Sequence, residues 1–238
     1  GRMNAFLDLL LKHKVKVYKS NNANEYIVPT EQPQYRMVQT MFETYDTYQD
    51  SVYYDASAWS MANAYNINYR ATRGDTSMGS EVKMSDLQSA SIKVEESNYA
   101  YLIPWDDYNA PSLLYQLQSQ KVRVLASQKE FTLPTKKGDT QFSYGTLVIP
   151  VQKQSVEKAA LLKILQKASD DTGIAVHSAT TGYSKTGVDL GSRYNDPIEM
   201  PKAVMLVGDG TSSYEAGFVW HLLDQRVKMP VTKLRTIN

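Results

Sequence analysis

Short apolar runs separated by stretches of helical period constrain this sequence more than any other feature. Tyr99 to Ile103, Leu147 to Ile149, Ile174 to Val176 and Ala203 to Val207 each pass without a charged residue. Between the second and third runs, Leu161, Ile164, Leu165 and Ala168 recur at the spacing of one helix face, which predicts a helix from about Val156 to Ser169. Gly173 stands where a left-handed residue would end it. Strands that are apolar throughout need cover on both faces. The rhythm therefore predicts an α/β fold: a mainly parallel sheet, or sheets, with right-handed crossovers and helices on both faces.

The remaining elements follow the same logic. Met3, Phe6, Leu7, Leu10 and Leu11 form one stripe of an N-terminal helix, and Val15 and Val17 alternate with Lys14 and Lys16 as a strand. Tyr26-Ile27-Val28 is a second strand, ended by Pro29 after the polar loop Ser20 to Asn24. A helix carrying Tyr35, Val38 and Phe42 opens at Gln32-Pro33, another starts over Pro111 to Leu117, and Val122 and Val124 point inward from a strand at Lys121 to Leu125. The end of the chain predicts a helix from Ser213 to Gln225 and a strand at Val231-Thr232. Residues 3–71 read as a first α/β unit, 72–98 as a polar linker or hairpin, and 99–238 as a second unit. An internal echo links the two. Helix, Val15-Lys16-Val17, loop, Tyr26-Ile27-Val28-Pro29 and Gln32 is matched by helix, Val122-Arg123-Val124, loop, Leu147-Val148-Ile149-Pro150 and Gln152. Two similar units in tandem produce such an echo, and so does a coincidence of strand chemistry.

Composition narrows the chemistry. The 238 residues contain 26 basic and 25 acidic side chains, a net charge of +1, which gives no field to draw nucleic acid or an anionic membrane. No run of 18 apolar residues is present to span a bilayer. With no cysteine there is no disulfide, thiol nucleophile or thiolate metal ligand. Gly1-Arg2-Met3 directly ahead of an amphipathic helix has the pattern of a trimmed tag joined to an internal segment.

His13, His177 and His221 exhaust the imidazoles. His13, between Lys12 and Lys14, is placed to serve carbonyls at a helix end. His221 and Asp224 have a spacing that can hold a metal, but Tyr214, Phe218, His221 and Leu222 share a stripe, which predicts His221 packed on the sheet with Asp224 as its partner. The candidate ligand-binding set is Gly208, Asp209, Gly210, Ser212, Ser213, Glu215 and His221. A glycine turn between strand and helix presents backbone N–H groups to an anion, while Asp209 opposes one, and Ser212 with Glu215 forms a capping box. Gly182 to Ser192 is a glycine-punctuated loop. Tyr53 to Trp59 offers aromatics for a core, a domain interface, or stacking on a sugar or peptide. No catalytic residue and no metal ligand set is assigned.

Five phrases in order resemble the region that follows the catalytic domain of large bacterial zinc carboxypeptidase-like proteins. They are Tyr26-Ile27-Val28-Pro29-x-x-Gln32-Pro33, Asp50-Ser51-Val52-Tyr53-Tyr54-Asp55-x-Ser57-Ala58-Trp59, Gly145-Thr146-Leu147-Val148-Ile149-Pro150, Gly187-Val188-Asp189-Leu190-Gly191-Ser192, and Gly217-Phe218-Val219-Trp220-His221-Leu222-Leu223-Asp224. In that family a separate peptidase domain holds zinc through H-x-x-E and a later His; no H-x-x-E occurs in this chain. The resemblance implies a flavodoxin-like, class I glutamine amidotransferase-like fold, an activity that zero cysteines forbid here. It also implies a non-catalytic accessory region without its own cofactor, in an extracytoplasmic protein. Such a region has a scaffold, interdomain or substrate-positioning role, with the parent's peptidase domain as partner. The alternative is a module binding a peptide or small ligand at the 208–213 loop.

Overall fold

In a computed structural model, residues 2–21, 25–44, 60–73, 77–87 and 92–236 are described. The chain divides into two compact units, Gly1–Ser89 and Ala90–Asn238. The first comprises α1 (Arg2–Lys12), β1 (Tyr18–Ser20), β2 (Tyr26–Ile27), α2 (Tyr35–Phe42), α3 (Met61–Ala64) and β3 (Met78–Glu81). Its strands form a sheet in the order β2-β1-β3, antiparallel at both seams. The stripe of α1 buries Phe6, Leu7 and Leu10 against Val15, Val17, Val38 and Met41. Phe6 lies edge-on to Phe42 with ring centres 5.6 Å apart. β3 lies within the stretch read as linker or hairpin, and Val82 just beyond it joins this core.

The second unit contains β4 (Ala100–Ile103), α4 (Ala110–Ser119), β5 (Leu125–Ser127), β6 (Phe131–Thr135), β7 (Gly138–Phe142), β8 (Leu147–Pro150), α5 (Lys158–Thr172), β9 (His177–Ser178), β10 (Thr186–Gly187) and β11 (Asn195–Pro197). β12 (Val204–Gly208), α6 (Ser213–Trp220), a π-helical turn (His221–Arg226) and β13 (Thr232–Thr236) complete it. The main sheet runs β11-β5-β8-β4-β9, with every neighbouring pair antiparallel. A smaller antiparallel sheet, β10-β6-β7, is bridged to the end of β9 through Thr135 and Ala179, and β12-β13 form a parallel pair.

The expected mainly parallel, flavodoxin-like sheet with helices on both faces is therefore incorrect. The physical reason is strand insertion. β4 and β5 point the same way, as the helix between them demands, but β8 lies between them and runs opposite to both. β8 and β9 likewise share a direction across α5, with β4 interposed. Each β-α-β unit is split by a strand of the other, the β-α-β-β-α-β arrangement. The cover on the two faces also differs. Tyr101, Ile103, Leu147 and Ile149 pack under Leu113 and Leu117 of α4 and Leu161 and Leu165 of α5, while Ala100, Leu102 and Val148 face Phe131, Leu133 and Phe142 of the β6–β7 hairpin. The strands are apolar throughout because a hairpin covers what helices were expected to cover.

The internal echo has structural detail. Lys14 and Lys121 both adopt left-handed conformations, φ 59° and 60°, at the ends of α1 and α4. In each case the next residue closes the helix, Val15 N–H to Leu10 O at 3.0 Å and Val122 N–H to Leu117 O at 3.1 Å. Tyr18 faces Ile27 as Leu125 faces Val148, and Val82 donates to Val17 O as Ile198 donates to Val124 O. A glutamine then clamps each turn. The Gln32 amide accepts from Lys16 N–H at 2.7 Å and donates to Pro29 O at 2.6 Å. Its counterpart is Gln154 and not Gln152: Gln154 accepts from Arg123 N–H at 2.8 Å and donates to Arg123 O at 2.9 Å and Pro150 O at 2.7 Å. A primary amide carries a donor and an acceptor side by side and so substitutes for a ladder partner where proline has ended the strand. What repeats is an antiparallel unit.

Gln154→Ala removes three bonds, of which the one to Pro150 O is part-buried and the two to Arg123 are exposed, so it should cost about 1–2 kcal/mol. Gln152→Ala, at an exposed position, should stay within about 0.5 kcal/mol. Urea unfolding of the two variants measures the difference.

Candidate functional site

The turn anticipated as a ligand site joins β12 to α6. Gly208 and Gly210 have positive φ, 109° and 80°, so the glycines are required by the turn itself. Its acceptors are occupied internally: Thr211 donates to Gly208 O through N–H at 3.1 Å and through Oγ1 at 2.8 Å, and Thr236 Oγ1 donates to Asp209 O at 2.8 Å. Ser212 Oγ accepts from Glu215 N–H at 3.4 Å, capping α6. Asp209, Ser213 and Glu215 are exposed.

His221 is not packed on a sheet. It is exposed, at the point where α6 widens into a π-helical turn, and the changed pitch breaks the expected alignment with Asp224. Asp224 accepts instead from the Gln225 amide. His13 is exposed as well. Among the described residues no three His, Cys, Asp or Glu side chains gather as a metal site, and no helix there is long and apolar enough to cross a membrane. Tyr53 to Trp59 lies outside the described residues. The 182–192 loop contributes β10, whose Gly187 crosses the start of β6 so closely that a Cβ would lie 2.2 Å from Glu130 O.

A concave site does occur nearby. A cleft of about 270 Å³ is lined by Trp105, Asp107 and Tyr108 from the β4–α4 loop, by Leu222 and Arg226 from the π-helical turn, and by Val227 just after it. β4 positions the loop: buried through Ile103, it delivers Pro104-Trp105 to the surface, and Gly145 (φ 82°) comes against Trp105 where a Cβ would sit 3.5 Å away. Asp107 Oδ1 accepts from Asn109 N–H at 2.8 Å, and the Asn109 amide donates to Thr172 O at 3.1 Å, tying the loop to the end of α5. Two exposed aromatic rings beside one guanidinium and one carboxylate can hold a flat or apolar group by stacking. None of Gly208, Asp209, Gly210, Ser212, Ser213, Glu215 or His221 lines it. The sequence signal for the cleft was an aromatic pair in a Pro- and Asp-containing loop leaving an apolar strand.

His177, on the edge strand β9, is the perturbed imidazole. Its ring meets Phe142 edge-on at 5.5 Å, and its buried Nδ1 has no hydrogen-bond partner. Burial, then the charge of Lys137, pushes its pKa below the ordinary value of 6.5. No protein-family model, curated protein or solved structure matches this chain.

A histidine whose folded pKa is depressed takes its proton more readily when unfolded. Its neutral form thus supports stability above pH 6.5, and that support is lost as pH falls below 6.5 toward the folded value. Thermal unfolding across pH 7.5 to 5 should show a decline that is shallower in His177→Phe.

Proposed function

We propose that this chain is a non-catalytic accessory region of a zinc carboxypeptidase-like, extracytoplasmic protein, serving as scaffold and docking surface for the peptidase domain of the same polypeptide. The resemblance of the five phrases supplies the family. One observation carries the docking role. The β12-α6-β13 unit leaves Val204, Leu206, Tyr214, Phe218, Val219, Leu222 and Leu234 exposed, Phe218 at 77% and Tyr214 at 81%. Parallel strands are ordinarily covered on both faces, and a helix apolar around its circumference is ordinarily buried. Large apolar side chains left exposed on one small unit mark an interaction site. The alternative, a ligand held by the 208–213 turn, has weaker support because the N–H groups of Thr211 and Glu215 already donate locally, to Gly208 O and Ser212 Oγ.

The purified chain should take up no stoichiometric zinc and release no C-terminal residue from peptides. It should bind the peptidase domain of its own polypeptide, and Phe218→Asp should weaken that binding at least tenfold. One tightly held zinc, with peptide hydrolysis abolished by His221→Ala, would overturn the proposal.

A further inference from the structure

Among the described residues, the duplicated architecture leaves one strand position of the first unit unfilled. In the second unit, the edge of β8 that faces away from β5 is filled by β4: Leu147 pairs with Ile103, Val148 with Leu102, Ile149 with Tyr101 and Pro150 with Ala100. The far edge of β4 is then taken by β9, with Leu102 opposite His177 and Tyr101 opposite Ser178. β2 is the counterpart of β8 by register, since Tyr18 meets Ile27 as Leu125 meets Val148. Among the described residues, however, β2 pairs with β1 alone.

Hydrogen-bond parity identifies which groups lie open. Ser20 N–H donates to Glu25 O at 2.9 Å, so bonded pairs fall at 20/25 and 18/27, and the backbone groups of Tyr26 and Val28 point away from β1. Their equivalents, Leu147 and Ile149, are the residues that bond β4. The flank beyond the gap is also recognisable. Asn66 is left-handed (φ 53°) after α3 as Gly173 (φ 72°) is after α5, and Ile67 packs in its core as Ile174 does. Counting on, Tyr69-Arg70-Ala71 matches Val176-His177-Ser178, the residues that enter β9. Tyr69 to Ala71 form no ladder and are exposed. Arg70 reaches Glu25 through two bonds of 2.9 and 3.0 Å; of their counterparts, His177 lies in β9 and Thr146 directly precedes β8, the two strands that flank β4.

We propose that this vacancy is the seat of a central strand: an apolar segment of the same polypeptide, joined to the start of α1 by a short loop, that pairs antiparallel with Tyr26 to Pro29 and is flanked on its other side by Tyr69 to Ala71. Chain order supports the cis origin, because β4 precedes α4 by six residues and α4 is the counterpart of α1. Its chemistry follows from β4, all four of whose residues are buried. Side chains turned toward α1 and α2 should be large, as Tyr101 and Ile103 are beneath α4 and α5. The inference is independent of the peptidase reading.

Two experiments test it. The first adds a synthetic peptide with the sequence of residues 98–105 to the unmodified chain and follows amide hydrogen exchange. Tyr26 and Val28 should slow at least tenfold, Ile27 should be unchanged because it already bonds Tyr18, and Tyr26→Pro should abolish the effect without unfolding the chain. The second grafts residues 99–108 directly ahead of Arg2. The graft should show the same protection at every protein concentration and unfold at a higher temperature. Unchanged exchange at Tyr26 and Val28 in both experiments would overturn the proposal. So would protection that appears in the unmodified chain only as it doubles in mass, which would make a second copy the occupant.

Discussion

Complete burial of β4 is the constraint on which the second unit depends. Ala100, Tyr101, Leu102 and Ile103 are each 0–1% exposed, so the strand has neither a wet face nor a wet edge. Each large side chain taken out of water contributes about 1.5–3 kcal/mol, and its alternation sends Tyr101 and Ile103 to one cluster and Ala100 and Leu102 to the other. A strand in that position can be reached only by neighbours on both sides and layers above and below. β8, β9, α4 with α5, and the β6–β7 hairpin are those four requirements. The buried Tyr101 hydroxyl is satisfied as well, accepting from Ser97 N–H at 3.2 Å.

Around that strand, polar side chains serve chiefly to close main-chain groups that irregular segments leave open. Ser97 Oγ donates to Ala179 O, Ser178 Oγ to Glu95 O, Ser169 Oγ to Ile174 O and the Gln118 amide to Ile198 O. Gln166 does the same for the approach to β4, accepting from Val94 N–H and donating to Ile92 O. All of these bonds except the one from Ser169 cross between distant parts of the chain, and so also fix a register. A buried carbonyl left without such a partner costs about 1–3 kcal/mol, which is why serine and glutamine rather than an apolar residue occupy these positions. The surface ion pairs, by contrast, are exposed and contribute little.

Much of this fold was legible. The stripe of α1, the α5 helix with its Gly173 stop, and the strands at 99–103, 147–150 and 203–207 are written in spacing that depends only on local geometry. Strand direction was not legible, because an apolar run states that both faces are covered and not which chain segment lies alongside. The β6–β7 hairpin decided the matter. Its signal was present in the alternation of Phe131, Leu133 and Thr135 ahead of Gly138 (φ 100°), but a proline at 134 inside the run and two lysines at the turn disguised it. At the candidate site, the capping role of Ser212 was visible in sequence, whereas the change of helical pitch at His221 has no local signature. One wall of the Trp105 cleft had a signal in the aromatic loop after β4, but its other wall lies more than a hundred positions away and could not be paired with it from sequence.

The split β-α-β order has a kinetic consequence. One edge of β4 must await β8 and the other β9, whereas β6 and β7 meet across a turn of two lysines. Loop closure over long separations is slow relative to hairpin formation. During synthesis the most water-averse strand of the unit therefore emerges early and keeps one edge open until α5 and the residues after it have left the ribosome. That interval is when this protein is most exposed to aggregation and most dependent on chaperones.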